Sequence, residues 1–217
     1  MCATANAAKT RKRPCNALTG DATDMKARAL NRLKNRSSAP SQRDIDPRIT
    51  LHTILATGND VNRFSETKAA TVTGYVVSAK PGGIETCNCH ATDANKRDTH
   101  IDIVADAKYA IPKFVNVTTI DKKGRKHVIK KDANQKYHAI VEVTPRIRRL
   151  IRAKTGANWS TDRLHSTLPG HWVNFTGWIL FDVEHWPQAE NTNPGNPLNW
   201  RATCTEIHPV FAIQVVK

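Results

Sequence analysis

The stretch AIVEVTPRIRRLIRAKTG, residues 139–156, changes from a strand pattern to a helical one at a single Thr-Pro step. Its first five residues are apolar and β-branched around one Glu, which reads as a buried strand. Thr144 is placed to cap a helix, Pro145 fits the first turn, and Ile147, Leu150 and Ile151 fall on one apolar stripe before Gly156 ends it. Upstream, strand-like runs cover 71–79, 84–89 and 99–105, and Pro81-Gly82-Gly83 breaks the first from the second. Downstream, after Pro169-Gly170, the longest strand patterns are 171–181 and 201–216. The helix therefore falls between the third and fourth principal strands. This order predicts a mainly β protein, a small antiparallel OB-like barrel with one helix between strands 3 and 4. Another small barrel and a β-sandwich are the alternatives, and a sandwich would leave the helix incidental.

The 217 residues carry 33 Lys/Arg against 19 Asp/Glu, a net charge of +14, and this excess is segregated. Residues 1–36 hold Lys9, Arg11, Lys12, Arg13, Lys26, Arg28, Arg32, Lys34 and Arg36 against Asp21 and Asp24, a balance of +7. Residues 107–136 hold Lys108, Lys113, Lys122, Lys123, Arg125, Lys126, Lys130, Lys131 and Lys136 against Asp121 and Asp132, another +7. The rest is neutral. Charge gathered in this way suits a polyanion, because each phosphate neutralised releases condensed counterions. In the second segment, 114–120 and 125–131 are strand-like and flank Asp121-Lys122-Lys123-Gly124, so they predict a projecting basic hairpin inserted at 107–137. The alternative is a lysine-decorated edge that only discourages aggregation.

These patterns divide the chain into a basic tail with a short helix (1–45), an approach segment (46–69) and the barrel (70–217). The tail helix is expected from a cap at Asp21 or Thr23 to about Arg36, with Met25, Ala29 and Leu33 on its apolar face. A hydrophobic content of 39% supports one core, and no apolar run approaches the ~20 residues that span a bilayer. Five scattered cysteines argue against a disulfide framework, so a reducing, cytoplasmic setting is expected and no membrane partner. The acid-free first twenty residues also fit a mitochondrial presequence, and 9–14 a nuclear signal.

Candidate chemistry gathers near predicted strand ends. His100 and Asp102 share one strand face, Cys204, Glu206 and His208 share another, and Glu142, Asp182, Glu184 and His185 lie at neighbouring ends. Converging carboxylates and imidazoles could hold a divalent metal ion and activate water. His100, Asp102, His185 and His208 are the candidate metal ligands, with Glu142 and Glu206 the catalytic candidates. Each could equally cap a turn or tie down a loop. Cys87-Asn88-Cys89-His90 offers zinc-type donors if both cysteines point to one side of a strand; otherwise the two are buried small hydrophobes. The long 183–200 connection carries Trp186 and Trp200, suited to stack on unpaired bases, with Arg201 placed for a phosphate. Both rings could instead cover the barrel end.

The runs Asn199-Trp200-Arg201-Ala202-Thr203 and Glu206-Ile207-His208-Pro209-Val210 belong to a wider pattern. With Gly82-Gly83-Ile84-Glu85-Thr86-Cys87-Asn88-Cys89, Asp98-Thr99-His100-Ile101 and Val141-Glu142-Val143-Thr144-Pro145-Arg146, they resemble a family of uncharacterised bacterial proteins. The likeness covers roughly residue 62 to the end and implies no activity and no catalytic residue. The basic hairpin and tail lie outside it.

The leading expectation is a nucleic-acid-binding protein, for DNA or RNA. Its phosphate contacts would come from Lys9, Arg11, Lys12, Arg13, Arg32, Lys122, Lys123, Arg125, Lys126, Lys130, Lys131 and Arg201, and stacking from Trp186 and Trp200. A metal-dependent phosphodiesterase or nuclease is the alternative from another class. A structural subunit of a larger nucleoprotein assembly is the third.

Overall fold

A computed structural model describes residues 15–216. Five strands close into a barrel: β1 (Ala69–Pro81), β2 (Thr99–Val104), β5 (Ala139–Val143), β6 (Trp172–Phe181) and β7 (Thr205–Val215). Around the barrel the order is β1-β2-β5-β7-β6, and β6 returns to pair with β1. All pairs are antiparallel except β5 with β7. Between β2 and β5, strands β3 (Phe114–Ile120) and β4 (Lys126–Asp132) form a separate two-stranded antiparallel sheet.

The strands alternate between an apolar inner face and an outer one, although β2, β5 and the first part of β7 are buried on both faces. Ile101 and Ile103 of β2, Val141 and Val143 of β5 and Ile207 of β7 join the apolar core with Val72, Val76, Phe175 and Ile179. Their neighbours in sequence point to the outer face. Gly177 is required where β6 crosses β7, because a Cβ there would meet the Pro209 carbonyl oxygen at 2.4 Å.

Two helices, not one, connect β5 to β6: α3 (Pro145–Thr155) and α4 (Thr161–Thr167). The Thr144 hydroxyl accepts from Ile147 N–H, Pro145 stands in the first turn, and Gly156 closes α3 at φ 74°. Ser160 begins a second helix after only a short break, a cap hidden behind Trp159 in the sequence pattern. The α3 stripe is also rotated. Ile147 and Arg148 are buried while Leu150 is exposed, since the Arg148 guanidinium finds Thr99 Oγ1 and Thr161 Oγ1 at 2.8 and 2.7 Å.

The region before β1 is integrated with the barrel. Ile49, together with Leu51 and Ile54 of the short helix α2 (Leu51–Leu55), belongs to the core. Helix α1 (Met25–Lys34), capped by Asp24, turns Leu30, Asn31 and Lys34 inward and leaves Met25 exposed, so the expected Met25–Ala29–Leu33 face is not the one used. Polar groups determine its orientation: Asn31 Nδ2 donates to Thr19 O and Thr86 Oγ1, and Lys34 reaches three carboxylates. The strand expected over 84–89 is a loop with a 3-10 turn, Thr86–Asn88, followed by Cys89 and His90 at positive φ. Cys89 is disulfide-bonded to Cys15, and Cys87 is a buried free thiol. The two sulfurs therefore do not act as a pair of metal donors. No helix among the described residues is long and apolar enough to cross a membrane.

Candidate functional site

Outward alternation on β2, β5 and β7 gathers polar side chains where a barrel would ordinarily meet water. His100 faces Glu142 across the β2–β5 ladder, and Glu206 and His208 follow on β7. All are buried, because the 82–98 loop, the 182–204 loop and helix α1 cover that face. The expected convergence near strand ends is instead a convergence on the outer wall beneath two loops.

The contacts form an alternating chain of imidazole and carboxylate. His138 Nδ1 lies 3.7 Å from Asp102 Oδ1, which lies 3.8 Å from His100 Nε2. His100 Nδ1 is 3.0 Å from Glu142 Oε1, and Glu142 Oε2 is 3.3 Å from His208 Nδ1. His208 also lies 3.4 Å from Glu206 Oε2 and 3.8 Å from Asp98 Oδ2. Fixed cations anchor the two flanks. Lys34 Nζ contacts Glu85, Asp182 and Glu184 at 2.7, 2.8 and 2.9 Å, and Arg201 pairs with Glu206 at 2.7 Å.

Burial and charge compete at each group. Burial pulls the His100 imidazole down, but Asp102 and Glu142 outweigh it and raise it to about 9. Burial likewise opposes the charge of His208, and Glu142, Glu206 and Asp98 raise it to about 9. Burial pushes Asp98 up to about 7 against the pull of His208. For Asp102 burial loses: the nearby imidazoles of His100 and His138, with the Lys80 ammonium, hold it well below the usual range.

A pocket of about 360 Å³ opens onto this chain, lined by Lys80, Glu85, His100, Gln135, His185 and Trp200 among others. His100 is the imidazole that reaches it from the strand face. The Trp200 ring leans on His100 at 5.5 Å and stands edge-on to His185 at 5.3 Å, so it walls the pocket rather than lying open. Trp186 remains at the surface, packed edge-on against Phe181. Arg201, expected on a phosphate, is fully buried on Glu206 and unable to reach an external anion.

The hairpin bases are differently placed. Arg125 is bound to Asp121 and Lys108 to Asp106, whereas Lys113, Lys122, Lys123, Lys126, Lys130, Lys131 and Lys136 pair with no carboxylate among the described residues. Lys131 Nζ donates to Pro197 O at 2.7 Å, tying the hairpin base to the loop that carries Trp200. Arg32 is exposed on α1. Lys9, Arg11, Lys12 and Arg13 lie outside the described residues.

Sequence reasoning missed Lys34, Glu85 and Asp98. Lys34 looked like one more base of a tail, and Asp98 like a strand-start residue; only the folding of α1 and the 82–98 loop onto the barrel wall reveals them. It also missed the density of bases on α3, where Arg146, Arg148, Arg149, Arg152 and Lys154 stand without an acid. No protein-family model, curated protein or solved structure matches this chain. The family resemblance thus rests on the quoted motifs alone.

Proposed function

We propose that this protein binds nucleic acid, with the strand lying across the rim of the pocket between the 82–98 and 182–204 loops. The observation that carries the reading is the set of seven lysines without acidic partners among the described residues, five on the β3–β4 hairpin and Lys113 and Lys136 flanking it, with the hairpin joined through Lys131 to the Trp200 loop. Phosphates would meet these lysines, Lys80 at the pocket edge, and the basic tail. The barrel supports the same reading. Its order of strands, with the helices before β6 and a parallel pair between the third and fifth barrel strands, supports an OB-like reading, and OB barrels take ligands on the face of strands 2 and 3 between the corresponding two loops. Here that face is filled by its own ion pairs, so the ligand is held at the rim. Exposed Trp186 is the better stacking ring of the two.

Anisotropy titration with labelled single-stranded DNA and RNA tests this. Micromolar or tighter binding in dilute buffer is expected, and Trp186→Ala should weaken it by ~1–3 kcal/mol, as for a stacked base. Equal affinity for the variant would remove Trp186 from the interface, and no binding to either polymer would remove the proposal.

A second reading, phosphodiester cleavage, is favoured by His100. Its Nδ1 lies 3.0 Å from Glu142, its buried Nε2 lies 3.8 Å from Asp102 with no hydrogen-bond partner among the described residues, and the ring lines the pocket. That is the arrangement of an oriented acid–base group. Cleavage of an oligonucleotide by the full chain, lost in His100→Gln, would establish it; turnover unchanged in that variant would exclude it.

A further inference from the structure

Three groups of side chains along the covered face bring ligand-type atoms within 4.8 Å of one another: Glu85–Cys87–Asp98, Asp182–His185–Glu206 and Asp98–Glu142–His208. The first two already contain a cation. Lys34 contacts Glu85 and Asp182, and Arg201 contacts Glu206. The third does not: among the described residues no lysine or arginine pairs with Asp98 or Glu142, whose only charged partners are imidazoles. All three of its members are buried, with His208 0% and Asp98 3% exposed. Two of its polar atoms, His208 Nε2 and Asp98 Oδ1, also have no hydrogen-bond partner among the described residues. The only charge set against these two carboxylates is that of imidazole protons, which a bound ion would replace, and the unpartnered atoms enclosed away from water are costly until something satisfies them.

We infer that Asp98, Glu142 and His208 form a binding site for one divalent first-row transition ion. One imidazole with two carboxylates is a donor set suited to Zn²⁺ or Mn²⁺ rather than to a thiolate-loving ion. Glu142 and Glu206 both lie beside His208 Nδ1, at 3.3 and 3.4 Å, so Glu206 would keep the Nδ1–H and orient the ring while the unpartnered Nε2, 3.8 Å from Asp98, turns to the ion. The three ligands come from the end of the 82–98 loop, from β5 and from β7, so the ion cross-links the loop to the barrel wall. The site lies behind the pocket wall, and its role is to hold the loop rather than to contact a substrate. It depends on these side chains alone and stands whether or not nucleic acid binds.

The full chain, stripped with chelator and dialysed, should be titrated by calorimetry with Zn²⁺ and separately with Mn²⁺. One ion per chain is expected for at least one of them, with a rise in Tm on loading. Glu142→Gln and His208→Gln should each weaken binding by at least about tenfold, the scale on which even outer-shell changes act, whereas Cys87→Ser, at a side chain that touches Asp98 without ligating, should still take up one ion per chain. Should the variants not fold, the wild-type chain loaded with Co²⁺ answers the question: weak visible ligand-field bands without an intense thiolate charge-transfer band support oxygen and nitrogen ligation. No stoichiometric ion in the wild-type chain, or a thiolate charge-transfer band that places the ion at Cys87, would overturn the inference. An oligonucleotide titration of the metal-free chain reports on the nucleic-acid reading separately.

Discussion

The Lys34 ammonium lies 2.8 Å from the Asp182 carboxylate with both side chains 2% exposed, and this contact docks helix α1 against the turn that follows β6. A base that looks like part of a solvated tail is thus a buried counter-ion. Replacement by methionine keeps the volume but leaves Glu85, Asp182 and Glu184 facing one another, so Lys34→Met should cost about 3–5 kcal/mol in urea unfolding. Burial lowers the Lys34 pKa, but Asp182 and Glu85 outweigh it and raise the value well above 10.5. A raised folded value contributes stability that is complete below the unfolded value. The wild-type advantage over Lys34→Met should therefore persist up to pH 10.5 and fade only above it; a fade beginning near neutrality would contradict the contact.

Asp60 ties the approach segment to the long loop. Its Oδ2 accepts from Thr203 Oγ1 at 2.9 Å and Cys204 N–H at 2.8 Å, and its Oδ1 from Asn191 Nδ2 at 2.9 Å. Asp60→Ala leaves buried donors unsatisfied and should destabilise by about 1–3 kcal/mol for each that finds no water. Hydrogen exchange should show new opening of the 189–204 amides before the barrel strands open. Uniform loss of protection across the barrel would instead make Asp60 a core residue.

The hairpin turn responds to acid. Asp121 is held near 2 by backbone hydrogen bonding from Arg125, then by His127, the Arg125 side chain and Lys123 N–H. A depressed value means that the turn's contribution is present above the unfolded carboxyl value of 3.8 and is lost as pH falls through about 2. NMR should show the Lys123 and Arg125 amides titrating together with a midpoint near 2. A midpoint near 3.8 would mean that these bonds do not persist in solution.

The barrel strands were legible because their alternation is strong: Ile101 with Ile103 and Val141 with Val143 mark the inner face, and Thr144-Pro145 marks the helix start. The same alternation put His100 with Asp102 on one strand face and Glu206 with His208 on another, with Glu142 before the helix; that they join on one covered wall is seen only in the fold. What alternation cannot convey is a cover. A strand face followed by polar residues reads as solvent-facing, so the burial of Arg201 and the inward turn of Lys34 appear only when distant loops fold over it. The 84–89 run misled for a local reason: Thr and Cys favour strands, yet Glu85 O accepts from both Asn88 and His90 N–H and the chain turns. Cys15 lies 74 residues from Cys89, and the sequence offered no spacing by which to pair them.

Nucleic-acid binding through the hairpin is tested most directly by the slope of log affinity against log salt for a single-stranded oligonucleotide. The full chain should be compared with a variant in which Lys122, Lys123, Lys130 and Lys131 are glutamine. If all four touch phosphates, the slope should become shallower by about 2.8, at roughly 0.7 per contact on single strands. Identical slopes for the two chains would show that the hairpin touches no phosphate, contradicting the account.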